Sequence, residues 1–264
     1  MNILLLGHRE IASNVALGLI AAGLPEHRVD LRLSGTVTPR GEPPAALREL
    51  SAYEERLCDQ LAESEAARRA GLVPFEELAW RSGGTFGELS RPNAPRGLAA
   101  LSDCAPDLVV SVRYRRILRA EAIALARHGV LNLHSGLLPE YKGMMATFWA
   151  MLNGEPAIGS TLHYIVDAGI DTGPVVARAP LPADRQRTYL ANVLSLYPPG
   201  CARVVDAVHG IEAGESPGRV EQPREGRYYS SPEAADIARF ERAGLRLFDG
   251  TELETFIEQI VTNQ

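Results

Sequence analysis

Short apolar runs alternate with segments of helical length along most of this chain, and that alternation constrains the fold more than any other feature. Met1–Gly7 (MNILLLG) is apolar without a polar face and is stopped by glycine, as in a parallel strand covered on both sides. A helix is expected over Ile11–Ala22, closed by Gly23, and a second strand over Val29–Leu33. The rhythm then breaks. Thr36–Pro44 is rich in Pro, Gly and Arg and reads as a loop. Leu47–Ala70 predicts one long charged helix on the flank of the sheet, Phe75–Arg81 a further helical turn, and Ser82–Pro95 an irregular stretch. Regularity returns with strands over Pro106–Val112, Val130–His134, Gly159–Val166 and Val175–Ala179. Helices are expected over Arg119–His128, Ala146–Asn153 and Gly200–Ala213, the last with Val204, Val205, Val208 and Ile211 on one face. Strands alternating with helices predict an α/β fold with a mostly parallel sheet flanked by helices. The expected organisation is one domain over residues 1–210 and a short C-terminal extension, 211–264, packed on it.

Composition narrows the partners. The 264 residues are 45% hydrophobic and 23% charged, which suits a soluble globular chain rather than a disordered one. Lys and Arg number 27 against 33 Asp and Glu, a net charge of −6, so no basic surface for nucleic acid is expected. Cys58, Cys104 and Cys201 are widely spaced and form no CxxC, consistent with buried thiols in a reducing compartment. No apolar run reaches the roughly 18 residues of a membrane span. The apolar start, Ile3–Leu6, has no basic segment before it and is interrupted by His8, Arg9 and Glu10, so a cytoplasmic location without membrane contact is expected. A homodimer through the tail or the Leu47–Ala70 helix is an arrangement the sequence allows.

An α/β sheet binds its ligand at the carboxyl ends of its strands, so the chemistry is sought there. The first strand ends in GHREIA, not GxGxxG, and neither a P-loop nor a GxSxG elbow occurs. Asn132 and His134 are two apart on one strand, hence on one face, with Leu131 and Leu133 turned to the core. The strand opens into a loop containing Gly136, Pro139 and Gly143. An amide donor beside an imidazole suits an oxyanion site with an acid–base group. Asp167 and Asp171 lie in a second tight loop, DAGIDTGP, and a carboxylate beside the imidazole would orient it. Taken singly, a strand histidine is more often a satisfied core residue and an Asp–Gly loop more often a turn. His134, His163, Asp167 and Asp171 also offer metal ligands, although no metal is expected.

The order of these residues resembles the formyltransferases that use 10-formyltetrahydrofolate, such as those acting on glycinamide ribonucleotide, methionyl-tRNA and amino sugars. The resemblance rests on NLH (Asn132–His134), SGLLPEYKG (Ser135–Gly143), TLH (Thr161–His163) and DAGIDTG (Asp167–Gly173), and extends to DLVVSVRYRRIL (Asp107–Leu118). It implies a Rossmann-like formyltransferase fold, 10-formyltetrahydrofolate as donor and tetrahydrofolate as product. It also implies roles. Asn132, His134 and Asp171 would be the catalytic trio, with His163 supporting Asp171. Arg116, Leu118, Ile123 and Leu138 would line the folate pocket with the backbone of Val166, Asp167, Ala168 and Gly169. For Arg116 the ordinary alternative is a solvated loop arginine.

The acceptor is then expected to be the amine of a small biosynthetic intermediate, an amino-sugar nucleotide or an amine or hydroxylamine of a specialised metabolite or siderophore precursor. About fifty residues follow His209, short for the tRNA-binding domain of the methionyl-tRNA enzymes, and the chain is acidic. The glycine-rich phosphate loop of the glycinamide ribonucleotide enzymes is replaced by Gly7-His8-Arg9-Glu10. His8, Arg9 and Met144 are the expected acceptor contacts; Met145 and Trp149 are as consistent with core packing. Tyr228 and Tyr229 would either stack on the acceptor or pin the tail. A 10-formyltetrahydrofolate hydrolase and a non-catalytic folate-binding protein are the competing readings.

Overall fold

The computed structural model describes residues 1–35, 41–61, 65–69, 72–223 and 225–250. In chain order the elements are β1 (Asn2–His8), α1 (Ile11–Ala22), β2 (Arg28–Ser34), α2 (Ala45–Leu61), α3 (Glu65–Arg69), α4 (Phe75–Arg81), β3 (Phe86–Glu88), α5 (Pro95–Asp103), β4 (Leu108–Ser111) and α6 (Ala120–Ile123). They continue as β5 (Val130–His134), β6 (Tyr141–Gly143), α7 (Ala146–Leu152), β7 (Ala157–Ile165), β8 (Val175–Pro182), α8 (Tyr189–Ser195), α9 (Tyr197–Glu212), β9 (Arg227–Tyr229) and α10 (Ala234–Arg242).

Seven strands form one sheet in the order β3-β2-β1-β4-β5-β7-β8. Pairings from β3 to β5 are parallel; β5–β7 and β7–β8 are antiparallel. The sheet is therefore mostly parallel and flanked by helices, a Rossmann-like arrangement. Because side chains alternate along a strand, β1 feeds two cores: Ile3 and Leu5 join the larger cluster with α1 and α9, while Leu4 and Leu6 join the smaller one with Leu101, Val109, Leu118 and Val130. Covering on both faces explains why β1 reads as an unbroken apolar run. In α9, Val204, Val208 and Ile211 enter the larger core and Val205 packs at its margin. The three cysteines are buried and free. Among the described residues no helix is long and apolar enough to cross a membrane.

Several boundaries differ from expectation. The charged Leu47–Ala70 segment contains two helices, α2 and α3, and its residues 62–64 and 70 lie outside the described set. The loop expected over Thr36–Pro44 is described only from residue 41. Ser82–Pro95 is not wholly irregular: Phe86–Glu88 adds β3 at the sheet edge, where three residues suffice to pair with β2 and show no period. The helix expected over Arg119–His128 is the single turn of α6, because Arg127 N and His128 N bond back to Pro106 O and Asp107 O instead of continuing it. Helices α5 and α8 escaped the pattern. α9 starts at Tyr197, with Pro198 and Pro199 in its first turn, where a missing N–H costs nothing. The tail beyond Tyr228 contains α10, and residues 251–264 lie outside the described set.

Candidate active site

The site forms where β5 ends between a parallel and an antiparallel neighbour. Asn132 pairs with Ser111 of β4 on one side and with His163 of β7 on the other. This register places Asn132, His134 and His163 together, and the loop after β7 brings Asp171 back over them. Asn132 Nδ2 lies 3.0 Å from His163 Nε2. The ring of His163 is fixed on its other edge, Nδ1 lying 3.0 Å from the Tyr164 carbonyl. Nδ1 therefore carries the proton given to that carbonyl, and Nε2 accepts from the amide. His134 has the opposite polarity. Its Nε2 is 2.7 Å from the Tyr141 carbonyl, so that edge donates, and its Nδ1 faces Asp171 Oδ2 at 3.5 Å.

Asp171 closes the constellation. Its Oδ1 lies 3.4 Å from His163 Nε2, and its Oδ2 accepts the Gly143 backbone N–H at 2.8 Å. The carboxylate is buried. Burial alone would raise its pKa, but the facing His134 and the Gly143 N–H act against that, and it is held at about 2. The backbone is adapted to this crowding. A Cβ on Gly136 would lie 2.7 Å from His134 Nε2 and 2.5 Å from Ala146 Cβ, so only glycine lets the chain pass the imidazole. Gly143 has φ 93°, and a side chain there would run into the Tyr229 carbonyl. Thr161 ties the same loop, donating to Gly136 O at 2.7 Å and accepting from Leu138 N at 3.1 Å.

The other expected site residues are distributed along the carboxyl edge. Val166, Asp167, Ala168 and Gly169 form an exposed loop beside Asp171, shaped by Gly169 N donating to Asp167 Oδ1 at 2.7 Å. Leu138 is fully buried; its backbone O accepts from Arg178 Nε at 2.9 Å. Leu118 is buried in the smaller core with Ile123 packed against it, and Arg116 donates to Gly35 O at 3.1 Å. Met144 is exposed next to the site. His8 and Arg9 end β1, two strands from β5. His8 is buried with Nδ1 3.0 Å from both O and Oγ of Ser34; burial and then Arg115 lower its pKa. Arg9 is exposed and paired with Asp59 at 3.0 Å. Tyr229 pins the tail, stacking on Tyr141 and Trp149, while the Tyr228 ring stays half exposed over Gly143. Among the described residues no group of His, Cys, Asp and Glu is arranged to hold a metal ion.

Sequence reasoning missed a buried ionic cluster between β1 and the site. Glu10, one residue before α1, pairs with Arg113 and, at 2.5 Å, with Arg115. Arg113, two residues past the partner of Asn132, also reaches Glu54 of α2 at 3.4 Å. Burial would raise the pKa of Glu10, yet the two arginines hold it at about 2; burial and the charge of Glu10 push Glu54 up to about 7. The RYRR segment was the available signal, but nothing in it names its acidic partners.

With this geometry in place, similarity to known proteins becomes informative. Residues 90–192, which contain Asn132, His134, His163 and Asp171, match the family described as formyl transferase. The resemblance to that domain covers these residues and not the chain as a whole. A methionyl-tRNA formyltransferase of Acetivibrio thermocellus is 32% identical over 112 residues, 42% of this chain and 36% of that protein. The match thus spans little more than a third of that relative. Solved structures extend the fold similarity beyond the domain. Glycinamide ribonucleotide transformylase 1 from Symbiobacterium toebii has a TM-score of 0.58 at 19% identity, covering 85% of this chain and 95% of the other. An N-formyltransferase from Helicobacter canadensis, solved with folinic acid and dTDP-3-aminofucose, has a TM-score of 0.56 at 18% identity, covering 90% of this chain and 72% of the other.

Proposed function

We propose that this protein moves a formyl group from 10-formyltetrahydrofolate to the amine of a small biosynthetic intermediate. The observation that carries the proposal is the convergence of Asn132, His134, His163 and Asp171 at the carboxyl edge of β5. The folate is supported by the neighbouring loop, where Val166 and Ile170 stand 49% and 40% exposed beside the buried carboxylate, an apolar ledge for a flat heterocycle. The Helicobacter canadensis protein, of the same fold, holds folinic acid. When bound, 10-formyltetrahydrofolate supplies an activated formyl carbon whose oxygen gains negative charge as an amine adds. Asn132 gives one amide hydrogen to His163 and keeps the second as a donor for that oxygen. A carboxylate held at about 2 is too weak a base to take the amine's proton. Asp171 therefore orients His134 and balances its charge while the imidazole carries the proton toward the leaving nitrogen.

The acceptor side also supports a small amine. The place at the start of α1 where a phosphate would find backbone N–H groups has the Glu10 carboxylate beside it, and that carboxylate already engages Arg113 and Arg115. An acceptor phosphate there would have to displace Glu10 from the two arginines. The test is a screen of amino-sugar nucleotides, hydroxylamines, glycinamide ribonucleotide and methionyl-tRNA with 10-formyltetrahydrofolate, following tetrahydrofolate formation. The expected result is turnover with a small amine, reduced by orders of magnitude in Asn132→Ala, His134→Ala and Asp171→Ala. Formate release without any amine would instead assign a hydrolase, and turnover only with methionyl-tRNA would overturn the acceptor class.

A further inference from the structure

Asp171 is presented to two imidazoles from an exposed loop, and its backbone lies in the left-handed region, at φ 54°. That conformation is uncommon outside glycine, although Asp and Asn enter it more readily than other residues. A tie to this loop comes from about fifty residues further on. After α9 the chain returns along the carboxyl edge of the sheet. Val220 exchanges two backbone hydrogen bonds with Val175, at 2.8 and 2.9 Å. Gln222 Nε2 then donates to two carbonyls of the catalytic loop, Asp171 O at 3.1 Å and Gly173 O at 2.6 Å. β9 follows, pairing with β6, the turn that gives His134 its Tyr141 carbonyl and Asp171 its Gly143 N–H.

Gln222 has a second unusual property. Its Oε1 is buried without a hydrogen-bond partner among the described residues. Leaving a buried acceptor unsatisfied is costly. The amide's donors are its only visible gain, and both are spent on Asp171 and Gly173. We infer that Gln222 is a positioning residue: by tying these two carbonyls it sets the Asp171 carboxylate between His134 Nδ1 and His163 Nε2. Glutamate has the same shape and no N–H, so it would face two carbonyls with an acceptor. Methionine has the same length and removes the donors without adding charge. Lysine restores donors.

The effect on turnover rests on the proposed formyl transfer; the effect on the histidines does not. The experiment uses the full chain labelled with 15N in its histidine rings, as wild type, Q222E, Q222M, Q222K and D171N. Ring nitrogen signals of His134 and His163 are recorded at pH 7, with thermal midpoints and, for the amine found in the screen, kcat and KM. Q222E and Q222M are expected to move both ring signals toward those of D171N and to lower kcat at least tenfold, with KM changed less than threefold. Q222K is expected to keep the wild-type signals and most of kcat. A merely structural Gln222 would lower the thermal midpoint of all three variants and leave the ring signals of the folded proteins unchanged. Wild-type signals in folded Q222M or Q222E, or failure of Q222K to match wild type, would overturn the inference. If wild type transfers formyl to no amine, the proposed function fails and the ring signals still decide the role of Gln222.

Discussion

Replacing Asp171 by Asn keeps the side chain's size and its contact with the Gly143 N–H while removing the charge that faces two imidazoles. The structure sets the scale. Asp171 is 8% exposed and titrates at about 2, against 3.8 for the unperturbed group. That gap corresponds to about 2 kcal/mol of stability at neutral pH. The sign follows from the direction. An acid whose folded pKa is depressed contributes stability above its unfolded value and loses it as pH falls through the folded one. Asp171→Asn should therefore be less stable than wild type by about 2 kcal/mol at pH 7 and by about half as much at pH 3, where the unfolded chain already holds the proton. Urea unfolding of both proteins at pH 7, 5 and 3 measures the difference directly, and taking differences cancels groups common to the two chains. In the same variant the imidazole of His134 loses its counter-charge, so kcat should fall by orders of magnitude. A stability difference that stays constant from pH 7 to pH 3 would refute the reasoning, as would an Asn variant more stable than wild type at pH 7.

The ionic cluster and the glycine beside His134 give further tests. Arg113→Met leaves Glu10 buried without its closest cation and should cost about 3–5 kcal/mol, read as a fall in the urea midpoint. Glu54 behaves oppositely to Asp171. Its pKa is raised from 4.5 to about 7, so stability is full below the lower value and is lost as pH rises from there through about 7; Glu54→Gln should match wild type near pH 4 and exceed its thermal midpoint near pH 8. Gly136→Ala forces a methyl group against His134 Nε2 and Ala146, and should lower kcat at least tenfold while the chain still folds, at a cost of about 1–3 kcal/mol.

The parts of the fold legible in the sequence are those whose hydrophobic period is long or unbroken. Met1–Gly7 needed only its seven residues, because Ile3 and Leu5 serve one core and Leu4 and Leu6 the other. Asn132 and His134 were legible as a pair because two polar residues on one face of an otherwise apolar strand conflict with burial unless they have work to do. β3 was not legible, since three residues establish no period, and α6 stops after one turn because of long-range bonds to Pro106 and Asp107. His163 could be guessed from its motif, but its placement between Asn132 and Asp171 depends on the antiparallel register of β5 and β7, which no local pattern specifies.

The contacts that complete the site are the least legible of all, for a physical reason. His134 is oriented by a backbone carbonyl, that of Tyr141, and Asp171 by a backbone N–H, that of Gly143. Backbone groups are the same at every position, so the sequence records them only through what lets them approach: glycine at 136 and 143, and the tyrosine at 229 whose ring packs the turn against the body of the domain. Gln222 is the same case seen from the other side. Its amide meets carbonyls rather than side chains, and its value lies in a separation of about fifty residues that only the return of the chain along the sheet edge closes. Side chains that share a strand face or a motif can be read from spacing; the groups that set their hydrogen-bond polarity cannot, and that polarity decides that His163 accepts from Asn132 while His134 turns its Nδ1 to Asp171.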